Sequence, residues 1–327
     1  LNNGTVVKAG EEVEEPEPVG PPPETIAVES VNLGEEEGPA ADAEVLSHVL
    51  DVPKLKMTTR APPCYAADVA QLTLVEEDVA KVTKNATVHM AFQPRADSLV
   101  IACADKQGHV SLWRVDCAEE HPSDGVHMFL PHRSYVSGLE WCERGDARVL
   151  TCSYDGSVRA LRPARSEWHL VHHSEELEYS AMVTTDSEAL WLGTNTGFAT
   201  LFDPRAPTPQ FKPIQFHDAK LNSLSLDKTR PHLLASASTD KTVRVWDVRK
   251  LASGGSKREL HTLRVGAASQ SAYWAPDGSG RILATSRDSL LRVFDGVHTG
   301  KPEQSATIRH NTCTGRWVVP FRAIWSP

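Results

Sequence analysis

Long apolar runs are missing from this sequence. No stretch approaches the 18 consecutive apolar residues that a membrane-spanning helix needs, so the sequence excludes such a helix and predicts no membrane partner. Cysteine is also scarce, with six in 327 residues and no Cys-x-x-Cys pair among them. This scarcity favours a reducing intracellular compartment, where a free cysteine behaves as a small apolar residue.

The sequence signatures of catalysis are missing as well. No Gly-rich phosphate loop and no Gly-x-Ser-x-Gly motif occurs, and the pair His172-His173 is not followed by further ligands at metal-binding spacing. The sequence therefore predicts a protein that is not an enzyme, with no catalytic residues, no metal site and no cofactor.

Basic residues are scarce in the first part of the chain. Residues 1–50 contain 12 Asp and Glu but a single Lys, together with many Pro and Gly, so this segment cannot bury enough apolar surface to fold alone. We expect residues 1–50 to be a disordered acidic tail and residues 51–85 to lead into the folded domain. The net charge of −9 comes from the tail, because residues 51–327 hold 33 basic and 31 acidic groups.

What the sequence does contain is a repeat. Short apolar strands, each preceded by a turn, end at regularly spaced large apolar residues, which are Trp113, Leu161, Phe202, Trp246 and Phe294. The intervals of 41 to 48 residues, with four short strands in each unit, are typical of the blades of a β-propeller. The sequence thus predicts an all-β WD-repeat propeller over residues 86–327.

The best-formed copy of the repeat is Leu234–Arg249. Its blade contains His217, Ser236, Asp240 and Trp246 at the spacing of the hydrogen-bonded group usual in WD repeats. A His–Asp–Ser group also suggests a hydrolase, but its place within a repeated blade favours a structural role. At the other end of the domain a sixth blade is expected to begin at Trp317 and to be cut off at Pro327. A closed ring is expected to have seven blades, of which about five and a half are present.

Several stretches resemble one particular family. VAKVTKN, GHVSLW, DGVHMFLPHRSYVSGL, SYDGSVR and NTCTGRWVVPFRAIW look like the WD repeat-containing protein 76 family, which is related to damaged-DNA-binding protein 2. The resemblance implies a nuclear, DNA-binding propeller that prefers damaged DNA and acts in the DNA damage response. It also implies a substrate receptor that docks on damaged-DNA-binding protein 1 in a cullin-4 ubiquitin ligase, with chromatin proteins as further candidate partners.

The charge pattern provides a separate argument for DNA binding. In a propeller, the connections between one blade and the next lie on one face, and these connections carry cations. The resemblance also puts Lys220 at the position of a DNA-facing lysine, and a wedge hairpin at Asn311–Trp317, although the hairpin sequence departs from that of the relative. The predicted DNA-binding residues are Lys81, Lys84, Arg133, Lys220, Arg264, Arg316 and Trp317. Glu175 and Glu176 interrupt this cationic set.

The alternative to DNA binding is a protein-interaction scaffold or ligase receptor without direct DNA contact. The resemblance implies that a Trp-Asp-x-Arg motif contacts the adaptor, and Trp246, Asp247 and Arg249 match it. Phe202–Arg205 is a degenerate second copy. Arg249 is the discriminating residue, because Trp-Asp closes WD blades in general, whereas an arginine can bind carboxylates and carbonyls with two parallel hydrogen bonds.

Overall fold

Twenty-one strands make up almost all the regular structure in the described part of the chain. The computed structural model describes residues 21–27, 79–94, 99–115, 125–142, 149–162, 165, 167–205, 213–252, 258–312 and 319–326. The strands are β1 Thr25–Ala27, β2 Thr87–Phe92, β3 Val100–Asp105, β4 Val110–Arg114, β5 Val126–Phe129, β6 Val136–Trp141, β7 Val149–Ser153, β8 Ser157–Arg162, β9 Glu167–His173, β10 Tyr179–Thr184, β11 Leu190–Thr194, β12 Phe198–Phe202, β13 Ile214–Gln215, β14 Leu221–Leu226, β15 Leu233–Ser238, β16 Thr242–Asp247, β17 His261–Arg264, β18 Ser269–Trp274, β19 Ile282–Ser286, β20 Leu290–Asp295 and β21 Glu303–Arg309. A short helix, α1, spans Val248–Ala252.

From β2 onward the strands form five antiparallel blades. Each blade consists of four strands that are consecutive in the chain, and each strand pairs with the next. The third strands of the five blades end at or one residue beyond the five predicted anchors. The WD-repeat β-propeller architecture predicted from the sequence is therefore confirmed.

The core lies between the blades. The second strand of each blade is almost fully buried, as in β3 and β15, because its apolar side chains pack into the clusters that adjacent blades share. Polar side chains on the inner strands also join adjacent blades. Ser180 Oγ donates to Leu221 O at 2.6 Å, and Asn222 Nδ2 donates to Ser269 O at 2.7 Å. Ser137 Oγ likewise donates a short hydrogen bond to Tyr179 O, so blades two, three, four and five are joined in sequence.

The turn between the second and third strands of each blade needs a positive φ. Gly108, Gly156 and Gly197 provide it in the first three blades, with φ of 100°, 74° and 88°. A side chain at Gly156 would lie 2.1 Å from Ser174 O. In blades four and five the same position is taken by Lys241, with φ 68°, and Ser289, with φ 61°, a conformation that residues other than glycine rarely adopt.

One part of the predicted acidic tail is ordered, which corrects the expectation for residues 21–27. Strand β1 adds a fifth strand to the outer edge of blade two by pairing with β9. A run of three residues gives too weak a local pattern to predict a strand, because its stability comes from the edge with which it pairs. The predicted domain boundary at residue 50, and most of the lead-in segment 51–85, lie outside the described residues.

Residues 319–326 occupy the place predicted for the first strand of a sixth blade. No strand is assigned there, but Trp325 Nε1 donates to Tyr273 O in blade five at 2.9 Å. Trp141 makes the same bond at 2.8 Å to Ala91 O in the preceding blade. The segment therefore packs as the inner strands of the other blades do, while the predicted start of the blade at Trp317 lies outside the described residues.

Candidate nucleic-acid interface

The His–Asp–Ser group of blade four is a buried structural element. His217 Nδ1 lies 2.9 Å from Asp240 Oδ2, and His217 Nε2 lies 2.7 Å from Ser236 Oγ. Trp246 Nε1 donates to the same Ser236 oxygen at 2.9 Å. Burial disfavours the charged form of Asp240, but hydrogen bonds from His217 and Thr242 outweigh it and hold the pKa of Asp240 well below its usual range. Because His217 and Ser236 are fully buried, substrate has no access to them, which fits the structural interpretation.

One end of blade four carries three cationic residues. Lys220 precedes β14, Lys241 lies in the turn between β15 and β16, and Arg264 ends β17. Thr239 N donates to Lys220 O at 3.1 Å, and Val265 N donates to Lys241 O at 3.0 Å, so the three segments lie side by side. Lys241 and Arg264 are exposed, and Lys220 is half-buried.

The same end of the other blades carries most of the remaining predicted cations. Lys81 and Lys84 precede blade one, and Arg133 precedes blade two; all three are exposed. Blade three contributes the exposed Glu175 and Glu176 to this end, as the sequence predicted. Arg316 and Trp317 lie outside the described residues. We call this end of the blades the cationic face; its described members are Lys81, Lys84, Lys106, Arg133, Lys220, Lys241, Arg264, Arg287, Arg309 and His310.

Five members of the cationic face are not among the predicted DNA-binding residues, and three of these five lie in turns. Lys106, Lys241 and Arg287 lie in the turns between second and third strands, which share a face with the connections between blades. All three are exposed. A signal was present in the repeat alignment: at the turn position where the first three blades have glycine, blade four has the cation Lys241 despite a φ of 68°.

An aromatic and cationic cluster lies near the axis on the cationic face. The rings of Tyr135 and Tyr154 stack with centroids 4.9 Å apart. Lys220 Nζ lies 4.9 Å from the centroid of the Tyr154 ring and donates a short hydrogen bond to its hydroxyl. Burial and the nearby charge of Arg322 lower the pKa of Lys220, while Glu178 opposes the shift. Lys220 thus lies against a tyrosine pair and is not an isolated surface charge.

The opposite face carries the predicted adaptor motif. Arg249 Nε and Nη2 donate to the two carboxylate oxygens of Asp247 at 2.9 and 2.8 Å, and the Arg249 amide donates to the same carboxylate at 3.1 Å. These bonds lower the pKa of Asp247. The side chain of Arg249 is 66% exposed, whereas Trp246 is only 1% exposed. Trp246 stacks on Phe216 at 4.1 Å in the core, so it does not belong to the accessible part of the motif.

Blade three repeats this arrangement in the degenerate copy of the motif. Arg205 Nε and Nη2 each donate to the Asp203 carboxylate at 2.9 Å, and the Arg205 amide donates to it at 2.9 Å. Arg205 is 62% exposed. Two adjacent blades therefore present an exposed guanidinium fixed by an aspartate two residues earlier, on the face opposite the cationic face.

Among the described residues there is no cluster of three or more His, Cys, Asp or Glu side chains with the geometry to hold a metal ion. None of the described helices is both long and apolar enough to cross a membrane.

Comparisons with known proteins agree with the repeat found in the sequence. The family described as WD domain, G-beta repeat matches residues 124–160 and 209–247, which contain parts of blades two and four.

Curated relatives match most of the chain. WD repeat-containing protein 76 of Rhinolophus ferrumequinum is 30% identical over 80% of this chain and 42% of its own length. The Mus musculus protein of the same name is 31% identical with the same coverage. DNA damage-binding protein CMR1 of Meyerozyma guilliermondii is 27% identical over 75% of this chain and 50% of its own length. The chain thus spans half or less of these relatives. It is a WD-repeat protein that resembles WD repeat-containing protein 76 and the CMR1 proteins, as its sequence predicted.

Proposed function

We propose that this chain binds DNA through the cationic face. The observation that carries the proposal is the gathering of cations from four blades at one end of the blades, around the Tyr135–Tyr154 pair. Lysine and arginine side chains neutralise backbone phosphates and release counterions, which supplies affinity that does not depend on sequence. Stacked tyrosines beside Lys220 offer a surface for an unpaired base.

A preference for damaged DNA and a nuclear role in the DNA damage response are the finer parts of the proposal. They are supported by the name of the CMR1 relatives, DNA damage-binding protein, which cover 75% of the chain. Damage weakens base stacking and pairing, so extruding a base from a lesion costs less than from intact duplex. The role proposed is binding and not catalysis, and chromatin proteins are further partners in the same proposal.

The test uses two variants of the cationic face in the full chain, Lys106→Glu and Lys241→Gly. Lys241→Gly removes one cation while restoring the residue that suits a φ of 68°, so the fold should be unaffected or slightly stabilised. We expect the double variant to bind duplex DNA at least tenfold more weakly than the wild type. The slope of log affinity against log salt should fall by about two, because each lost phosphate contact removes about 0.9.

Matched controls lie on the opposite face. Lys228 and Lys301 are exposed there, in loops of blades four and five, so Lys228→Glu with Lys301→Gln changes the net charge by the same three units without touching the cationic face. This control should bind DNA nearly as well as the wild type. Equal losses in the two double variants would contradict the proposal. Titrations with ultraviolet-irradiated and intact duplex test the damage preference, which a ratio of one would contradict.

A second candidate function rests on the paired Asp-x-Arg arrangement of blades three and four. We infer that Arg205 and Arg249 dock on damaged-DNA-binding protein 1, making the chain a substrate receptor of a cullin-4 ubiquitin ligase. An exposed arginine whose guanidinium is already oriented by an aspartate loses little side-chain entropy on binding a partner carboxylate or carbonyl. Because the two surfaces lie on opposite faces, this function is compatible with DNA binding.

The adaptor proposal is tested by measuring affinity for purified damaged-DNA-binding protein 1. Arg205→Ala with Arg249→Ala should weaken binding at least 30-fold, as expected when two anchoring arginines are removed from an interface. Arg281→Ala is the matched control, because Arg281 forms a similar pair with Asp277 at 2.7 Å on the same face. The double variant should still bind DNA. Retention of adaptor affinity in the double variant would contradict the docking site.

A further inference from the structure

Blade two has a fifth strand, β1, which lies more than 100 positions before the rest of the blade in the sequence. Strand β1 pairs antiparallel with β9, with Thr25 opposite His169, Ile26 opposite Trp168 and Ala27 opposite Glu167. The Leu170 amide also donates to Glu24 O at 2.8 Å. Within the described residues the other four blades have four strands each. The outer edge of β9 therefore accepts an extended peptide through its main-chain groups.

One side chain of this peptide enters the blade. Ile26 is half-buried and packs against the core of blades one and two, which includes Trp168, whereas Thr25 and Ala27 on either side are exposed. This alternation is that of a strand with one face towards a core. The position of Ile26 thus selects an apolar, strand-forming residue, while the positions on either side are open.

Arg159 fixes the start of the peptide. It is 1% exposed, and its Nη2 donates to Pro23 O at 2.7 Å. Two other blades have arginine at the same position of the repeat, and each of these guanidiniums reaches a carboxylate of its own blade. Arg244 lies 3.6 Å from Asp240, and Arg292 lies 2.5 Å from Asp288. In blade two the corresponding arginine, Arg159, instead donates a hydrogen bond to the Pro23 carbonyl of the added peptide.

The peptide is stiff before it reaches the blade. Pro21, Pro22 and Pro23 have restricted φ angles and favour an extended backbone, so less conformational entropy is lost when the segment is fixed in place. Residues 28–78 connect β1 to the described start of the propeller segment. The entropy of closing a loop increases only slowly with its length, so this connection permits pairing within one chain.

We propose that the outer edge of β9, together with Arg159, is a binding site for an extended peptide of a partner protein. The peptide it fits begins with prolines and has a β-branched apolar residue at the position of Ile26. Residues 21–27 fill the site from within the chain, and a partner segment of the same chemistry displaces them.

The test uses a fluorescent peptide with the sequence of residues 19–30, the full chain and two full-chain variants. Ile26→Asp puts a charge against Trp168 and releases the internal strand, while Thr25→Ser alters an exposed position and is the matched control. The peptide should bind the Ile26→Asp chain at least tenfold more tightly than the wild type or the Thr25→Ser chain, because the internal strand competes for the site. A peptide with aspartate in place of isoleucine should not bind.

Hydrogen exchange of the amides of residues 167–173 provides an independent readout. Exchange should be faster in the Ile26→Asp chain and should return towards the wild-type rate when the peptide is added. Unchanged exchange in the variant would show that β1 does not protect β9 and would overturn the proposal. Faster exchange without peptide binding would also overturn it, since β1 would then be an internal cap and not the occupant of a peptide site.

Discussion

Single buried polar residues have different roles from one blade to the next. In blade four, Ser236 links His217 to Trp246, so two side chains share one buried hydroxyl. In blade two, His132 Nε2 lies 2.8 Å from Thr151 Oγ1, and the anchor is Leu161, whose side chain has no N–H to donate. Burial lowers the pKa of His132 and keeps its ring neutral. The Ser236 hydroxyl of blade four therefore has one more side-chain partner than the Thr151 hydroxyl of blade two.

Ser236→Ala should destabilise the protein by about 2 kcal/mol, because it leaves buried nitrogens of His217 and Trp246 without their oxygen partner. Urea denaturation of the full chain measures this change. Ser305→Ala is the control, since Ser305 is exposed on β21 and its loss should change the free energy of unfolding by less than about 0.5 kcal/mol. A loss of that small size at Ser236 would argue against a shared role for its hydroxyl.

Elements with a strong local pattern were predictable from the sequence. The anchors Trp113, Phe202 and Trp246 lie at the ends of β4, β12 and β16 because alternation and turn residues specify each strand without reference to the rest of the chain. The prediction that Trp246 belongs to the adaptor-binding motif was less informative about which side chains of the motif are accessible. A Trp-Asp-x-Arg motif does not indicate that the tryptophan is in the core and only the arginine is accessible.

Elements that depend on distant partners were not predictable. Strand β1 has only three residues, and its stability comes from β9 and Arg159, more than 100 positions away in the sequence. The cations Lys106 and Lys241 were missed for a different reason. The predicted cations come from the connections between blades, whereas the topology also brings the turns after the second strands to the same end. The repeat pattern contains that information once the direction of every strand is considered.

At the scale of the whole molecule, charge is distributed in a way that the total hides. The chain has a net charge of −9, but residues 1–50 account for a surplus of 11 acidic groups. Strand β1 fixes part of this acidic segment to the outer edge of blade two, and the cationic face lies at one end of the same blades. DNA binding measured on the full chain therefore depends on both the acidic segment and the cationic face. For this reason the double variant of the cationic face is compared with a control of equal net charge.

The stability of the whole domain should also depend on pH, because two histidines, the half-buried His89 and the buried His132, stay neutral in the fold at pH 7. Burial, reinforced by the charge of Arg322, lowers the pKa of His89 from 6.5 to about 3, although a backbone hydrogen bond at Ser137 opposes the shift. Burial also lowers the pKa of His132, against the hydrogen bond to Asp155 and its charge. The unfolded chain takes up protons at these residues near pH 6.5, and the folded chain does not.

The free energy of unfolding is therefore expected to be highest above pH 6.5 and to fall as the pH drops from 6.5 towards 3. Between pH 7 and pH 5, His89 should contribute a loss of up to about 2 kcal/mol. Asp240, whose pKa is lowered in the fold, loses its contribution only at more acidic pH, so it does not mask the effect. Urea denaturation at pH 7.5, 6 and 5 measures the slope, which His89→Gln should reduce. A free energy of unfolding that has the same pH dependence in the wild type and in His89→Gln would contradict the assignment of the effect to His89.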